Sequence, residues 1–303
     1  MRTSWIPLVS AAILVASACR PGPGSDESGD SGTGTADRDP VPPQGNLLIE
    51  EVYYAGAVPT EGIDRYYADQ FIELVNISAS PVMLGGLIIG DAPGSSGVIN
   101  DGDEPGQGPS GNYLQDPEHV YLRSAWRIPG APEDVLLAPG DSVVIAHDAQ
   151  DHVPYSRLDL SGADYETYVE VHGEDLDSPI AENLEPIWYN GGFDWLVTVF
   201  GPTIVVVSMD AADLEETGSS RGPVQAPVSA VVDTMEALKD ADSVDWTRLH
   251  PSVDAGFVHV SGTYTGESVR RKRTADGVLQ DTDDSGADFE ARSMPDPWGD
   301  GGS

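Results

Sequence analysis

Residues 71–77, FIELVNI, and residues 82–91, VMLGGLIIGD, decide the fold class. FIELVNI alternates as a strand does, with Phe71, Leu74 or Val75, and Ile77 available to one face or the other. VMLGGLIIGD reads as a strand interrupted at Gly85 and Gly86, where a bulge or tight bend is expected. The same signature recurs outward from this pair. NLLIEEVYY (46–54) is rich in β-branched and aromatic side chains, and LAPGDSVVIAHD (137–148) sets a Pro-Gly turn before a short apolar strand. WLVTVFGPTIVVVSM (195–209) reads as a hairpin, two apolar runs flanking Gly201-Pro202. Short strands separated by turn residues point to a β-sandwich or barrel. Helical signal is thin. SAVVDTMEALKDA (229–241) spaces Val232, Met235 and Leu238 by three and is expected to form a short helix; LSGADYETYVE (160–170), with Ser161 as N-cap, is a second candidate.

The N-terminus speaks of location. MRTSWIPLVSAAILVASAC carries one positive charge at Arg2 and an apolar run from Trp5 to Ala18. That run is shorter than the roughly 20 residues of a membrane span, and it suits the h-region of a signal peptide. Ala16-Ser17-Ala18-Cys19 resembles a bacterial lipobox, in which the cysteine is lipidated. Cys19 is the chain's single cysteine, so a disulfide is excluded. Arg20 follows it, where an Asp would favour the inner membrane, and the outer membrane is the expected destination. Residues 20–45 contain no aromatic residue, leucine or isoleucine, too little apolar surface to offset the entropy of ordering. The expected organisation is a signal peptide at 1–18, lipidated Cys19 and a tether to residue 45, a folded domain at 46–297 and a flexible tail at 298–303. Gly29-Asp30-Ser31-Gly32 matches the surroundings of a trypsin-type nucleophile, but a tether cannot hold a serine in register with a base.

Composition narrows the partners. Fifty-one acidic residues against 15 basic ones give a formal charge of −36. Nucleic acid and anionic lipid would be repelled; a basic partner or divalent cations would not.

A resemblance then becomes specific. LLIEEVYYAG (47–56) and DQFIELVNISASPVMLGGLIIGD (69–91) are similar to the opening of a lamin-tail domain, through Glu51-Val52, Phe71-Ile72-Glu73-Leu74-Val75-Asn76 and Leu84-Gly85-Gly86. LAPGDSVVIA resembles its middle strand. GESVRRKR (266–273) and DTDDSGADFEARSMPDP (281–297) resemble its closing strand and terminal loop. The resemblance implies an immunoglobulin-like β-sandwich with long loop insertions. A longer set of segments, among them WRIPG, LDSPIAENLE and SVDAGF, resembles an uncharacterised family of bacterial surface lipoproteins with a lamin-tail-like domain, over nearly all of 46–292. Two features depart from an ordinary lamin-tail domain: a Gly/Pro-rich loop from Asp91 to Gln115, and about 100 residues inserted between His152 and Phe257. The family carries no activity to transfer.

Three stretches invite chemistry. In DTDDSGADFE (281–290), Asp281, Asp283, Ser285 and Gly286 fit positions 1, 3, 5 and 6 of a calcium loop, but Arg292 stands where the bidentate Glu belongs. A turn held by its own aspartates is the first reading; calcium on Asp281, Asp283 and Asp288 is the second, and calcium is the one cofactor envisaged. In HDAQDH (147–152), His147 and His152 flank Asp148 and Asp151 in a transition-metal-like mixture. No third ligand is identifiable, so a structural role is favoured. In SVRRKR (268–273), the basic side chains are expected to bridge to nearby acids, Arg271 and Arg273 on one strand face and Arg270 and Lys272 on the other. No G-x-S-x-G elbow, phosphate loop or dinucleotide fingerprint is present. The expected function is a non-enzymatic binding module, anchored to the membrane through Cys19 and accessory to an outer-membrane receptor or transporter. The alternative is a surface hydrolase of glycans or phosphoesters, using carboxylates and a metal in the 152–257 insertion.

Overall fold

FIELVNI forms the strand Phe71–Asn76, which lies near the middle of a seven-stranded sheet. The structure is a computed structural model; it describes residues 38–59, 68–93, 115–170, 175–189, 191, 194–195, 197–218 and 222–299. The segment expected to be a signal peptide, Cys19, the 29–32 motif and most of the 91–115 loop lie outside the described residues. The seven-stranded sheet runs in the order Glu182–Asn183, Tyr165–Glu166, Ser142–Ala146, Phe71–Asn76, Leu47–Tyr53, Ser268–Arg271, Phe289–Arg292. Its first two pairings are parallel and the others antiparallel. A five-stranded antiparallel sheet runs Glu185–Trp188, Ser124–Arg127, Ile88–Asp91, Thr203–Val207, Val231–Glu236. The protein is mainly β, and the two sheets form a sandwich.

The main core lies between them. Leu47, Ile49, Ile72, Leu74, Val143, Ile145 and Val269 from one sheet meet Ile89, Trp126, Ile204, Val206 and Met235 from the other. Each sheet is also covered on its outer face. Tyr53, Phe71, Val144 and Ala146 are packed under Ala149, Leu158, Leu160 and Ala163. Ile88, Val205 and Val207 are packed under Val120, Leu122, Val224 and Ala226, part of a third, small sheet of His119–Leu122, Val224–Pro227 and Glu215–Glu216. Both faces of Leu47–Tyr53 and Phe71–Asn76 are therefore buried throughout.

A bulge interrupts the centre of the larger sheet. The register between Leu47–Tyr53 and Phe71–Asn76 shifts between Ile49 and Glu51. The extra residue lets Ile49 and Val52 both point into the main core, and it brings Glu50 and Glu51 to adjacent positions in one buried strand. Gly85 and Gly86 do mark a bend, as expected. A side chain on Gly85 would stand 2.0 Å from the carbonyl oxygen of Ala131, and Gly86 has φ +79°.

Several expectations are corrected. Residues 229–241 form no α-helix: Val231–Glu236 is a strand, framed by 3-10 turns at Val228–Ala230 and Ala241–Trp246. Val231, Val232 and Thr234 suit a strand, and pairing with Thr203–Val207 overrides a three-residue spacing. Residues 160–170 supply the short strand Tyr165–Glu166 instead of a helix. Among the described residues of 195–209, only Thr203–Val207 is a strand; Trp195, Val197 and Val199 are buried in irregular chain, so the described residues form no hairpin. Residues 38–45, assigned by sequence to the expected tether, belong to the compact unit. Val41 donates to the Pro81 carbonyl at 2.8 Å and accepts from Met83 at 3.0 Å, and its side chain packs against the core, so the folded unit begins at Arg38. At the other end, Trp298, placed in the flexible tail by sequence, packs against the layer over Tyr53 and Phe71. Among the described residues the one α-helix is the turn Ser285–Asp288.

Candidate metal centre

The strand Ser142–Ala146 runs directly into His147 and Asp148, whose amides donate to the carbonyls of Gln70 (2.9 Å) and Ala68 (3.1 Å). This continues the sheet's pairing for two residues and fixes the aspartate. The His147 ring, 1% exposed, stacks on Trp195 with centroids 5.2 Å apart. Trp195 is tied in turn, donating from Nε1 to Asp91 Oδ1 at 2.8 Å and packing on Trp126. Its predecessor Asp194 accepts the Tyr189 hydroxyl on its carbonyl at 2.6 Å. A third segment is held by Glu166, whose carboxylate accepts the amides of Ala149 (2.9 Å) and Ser178 (2.5 Å), and by Asp175, which accepts the Val169 amide at 2.6 Å.

These anchors bring together three carboxylates that are far apart in sequence. Asp148, Asp175 and Asp194 each offer an oxygen, and the three oxygens lie within 4.8 Å of one another. The residues are 6%, 8% and 1% exposed. One oxygen of each, Oδ1, is buried and reached by no backbone or hydroxyl donor, the Asp148 and Asp175 carboxyls lie in hydrogen-bond contact with each other, and among the described residues none of the three carboxylates is paired with an arginine or lysine. Burial, with the neighbouring Asp194 and Asp175 charges, pushes Asp148 up to about 9. Burial and Asp175 push Asp194 up to about 8, and burial raises Asp175.

Three acids so placed must share protons or a cation, because like charges out of water cannot all ionise uncompensated. Carboxylate oxygens are hard donors that suit calcium, magnesium or manganese rather than zinc or copper. Calcium–oxygen distances of about 2.3–2.6 Å allow two ligands on one ion to stand up to about 5 Å apart, so three oxygens within 4.8 Å could share one ion and would supply three of the six to eight ligands calcium takes.

The cluster also makes stability depend on pH. A carboxyl whose pKa is raised on folding holds its proton in the native chain after the unfolded chain has lost it, so stability falls as pH rises through that interval. Asp69, Glu73 and Glu236 act in the same direction, each raised to about 7 by burial. In chelator, the protein is expected to be more stable at pH 5 than at pH 8.5, as measured by denaturant midpoints. Millimolar calcium is expected to flatten the loss at the alkaline end.

The sequence candidates divide. Of HDAQDH, Asp148 joins the cluster. His152 instead closes its own loop, Nε2 lying 2.9 Å from the Asp148 carbonyl, and Asp151 accepts the Val153 amide at 2.9 Å in a local turn. The calcium candidates of DTDDSGADFE are drawn together by an arginine. Arg271, whose side chain is 1% exposed, lies 3.3 Å from Asp281 and 3.6 Å from Asp288. Asp288 also accepts the Thr282 amide at 2.7 Å and hydroxyl at 2.8 Å, Asp284 caps the helical turn by accepting from Ala287 at 3.0 Å, and Asp283 sits at φ +53°. SVRRKR bridges to acids, as expected, but the expected facing is corrected: the strand ends at Arg271, so Arg273 leaves its alternation and joins Arg270 instead of Arg271, while Lys272 donates to the Ala287 carbonyl. Arg270 and Arg273 both reach Glu50 (3.1 and 2.7 Å), and Arg271 reaches Asp233 (2.6 Å). Asp175 and Asp194 had no distinguishing local signal: Asp175 is one of three acids in Glu174-Asp175-Leu176-Asp177, and Asp194 is a lone acid, both in a long insertion.

The family model described as a protein of unknown function (DUF4876) matches residues 138–296. The chain belongs to this family. The matched DUF4876 span includes Asp148, Asp175 and Asp194 as well as the 281–288 loop. A crystal structure of a DUF4876 family protein from Bacteroides thetaiotaomicron superposes with a TM-score of 0.72, covering 84% of this chain and 73% of that one at 23% identity. That likeness is one of fold. No curated protein matches the chain.

Proposed function

We propose that this protein is a lipid-anchored binding module of the bacterial outer membrane, with a β-sandwich body braced by a divalent cation on Asp148, Asp175 and Asp194. The observation that carries the reading is the convergence of three buried carboxylates, each with an oxygen that no donor other than a neighbouring carboxyl reaches. Each residue is at most 8% exposed. An ion there would lock the 148, 175 and 194 segments together rather than meet a substrate, as closed structural metal sites do. This favours a binding module over the hydrolase alternative. The lamin-tail-like motifs support a scaffold of the kind that presents loops to a partner. The lipobox at residues 16–19 supports the anchor.

The test is metabolic labelling with a palmitate analogue in a bacterial host that lipidates such signals. The wild-type chain is expected to take the label and sediment with membranes. Cys19→Ala is expected to lose both while retaining calcium-dependent stability. An unlabelled, soluble wild type would overturn the anchor, and loss of calcium response in otherwise folded protein would overturn the brace.

A further inference from the structure

A second feature is a groove of about 480 Å³ lined in part by Glu50, at the bulge in Leu47–Tyr53 of the seven-stranded sheet. Its lining includes Glu50, Glu73, Asn76, Arg270, Arg273 and Trp298. None of these belongs to the carboxylate cluster. Glu73 is 1% exposed; one carboxyl oxygen accepts the Ser142 hydroxyl at 2.6 Å, and the other, Oε2, is buried with no hydrogen-bond partner. Glu50 lies between two guanidinium groups, Arg270 at 3.1 Å and Arg273 at 2.7 Å. Arg270 also reaches Asp296 at 3.4 Å and Arg273 donates to the Gly277 carbonyl at 3.2 Å; a guanidinium has five N–H donors, so each still has donors over. Trp298 is half-buried, its ring against Gly162, and Val75 and Leu279 add an apolar strip to the lining.

These groups select by chemistry. An apolar ligand would strand four ionisable side chains against it. An inorganic anion would meet two glutamates, one of which already bridges both arginines. A cation would meet the arginines. What remains is an uncharged ligand that offers hydroxyls at its edges and C–H groups on a face. The planar forks of Arg270 and Arg273 suit paired hydroxyls, and an indole suits a C–H face. The volume falls within the range of small-molecule sites.

We propose that this groove binds a neutral saccharide, with Trp298 as its stacking platform and Arg270 and Arg273 reading its hydroxyls. The assignment gives the binding module a ligand class. It rests on that reading for its setting but on none of the cation-site residues.

The full chain, in calcium-containing buffer, is applied to an array of neutral oligosaccharides of glucose, galactose, mannose and xylose, alongside uronate-containing ones. Expected are hits confined to a subset of neutral glycans, confirmed by titration calorimetry. Affinity should weaken at least tenfold in Trp298→Ala and in Arg273→Gln and be largely kept in Trp298→Phe, all three with wild-type melting temperatures. Asp194→Asn, assayed below its melting temperature, should still bind, which separates failure of the groove from failure of the cation site. Absence of any hit, binding restricted to uronate glycans, or equal binding by Trp298→Ala and Arg273→Gln would each overturn the proposal.

Discussion

Asp194→Asn is expected to abolish a calcium-dependent rise in melting temperature that the wild-type chain shows. In chelator the two proteins should melt close together, or the variant slightly higher, because the amide removes one of three mutually repelling carboxylates. With calcium at about 100 times its Kd, the wild type should gain about 2.7 kcal/mol, a shift of roughly 5 °C or more for a chain of this size. The variant should gain little, since an amide oxygen is a weaker ligand without charge. Asp148→Asn should behave in the same way. Asp283→Ala should leave the calcium response intact, because the acids around it already share Arg271. Retention of the full shift in Asp194→Asn, with its loss in Asp283→Ala, would move the cation to the 281–288 loop.

The second large effect is expected at Arg271. Its guanidinium lies over the Phe289 ring at 4.5 Å, donates to the Ile49 and Gln280 carbonyls at 2.8 and 3.0 Å, and reaches Asp233, Asp281 and Asp288. Asp233 belongs to the five-stranded sheet and also accepts the Ile49 amide at 2.6 Å, so one arginine joins both sheets to the terminal loop. Burial pushes Asp233 up to about 7 even against the pull of Arg271. Arg271→Ala therefore leaves acids buried without their counter-charge, a loss of about 3–5 kcal/mol for a broken buried pair. Asp281→Ala removes only the outermost, 40%-exposed partner, and about 0–1 kcal/mol is expected. Urea denaturation in chelator compares them. Equal losses in the two variants would show that Arg271 is not the organiser of this loop.

Features with a local signal were legible in the sequence, and features assembled from distant segments were not. FIELVNI and SVVIA carry enough β-branched and apolar residues to declare strands on their own, and Gly85-Gly86 declared a bend that backbone crowding at Ala131 explains. The Arg271 partnership was legible in kind, since a basic run in an acidic chain must find acids. Val231–Glu236 was not legible as a strand, because its apolar spacing fits a helix and its pairing partner Thr203–Val207 lies across an intervening hairpin-like segment. The bulge at Glu50 was hidden as well: two consecutive glutamates in one strand look solvent-facing until sheet and insertion cover both sides. The carboxylate cluster was half visible. Asp148 stood out beside two histidines, but its true companions, Asp175 and Asp194, arrive from loops placed by Glu166 and Trp195, and no spacing rule links them. The groove escaped notice because Trp298 sits in a terminus whose composition reads as flexible.

The measurement that bears most directly on the cation site is bound calcium itself. The full chain and Asp148→Asn/Asp194→Asn would be equilibrated with micromolar calcium, dialysed, and assayed for metal by mass spectrometry. One calcium per wild-type chain and none in the double variant, with both proteins folded by circular dichroism, is the predicted result. A folded wild type that retains no divalent metal, or a double variant that retains as much as the wild type, would contradict it.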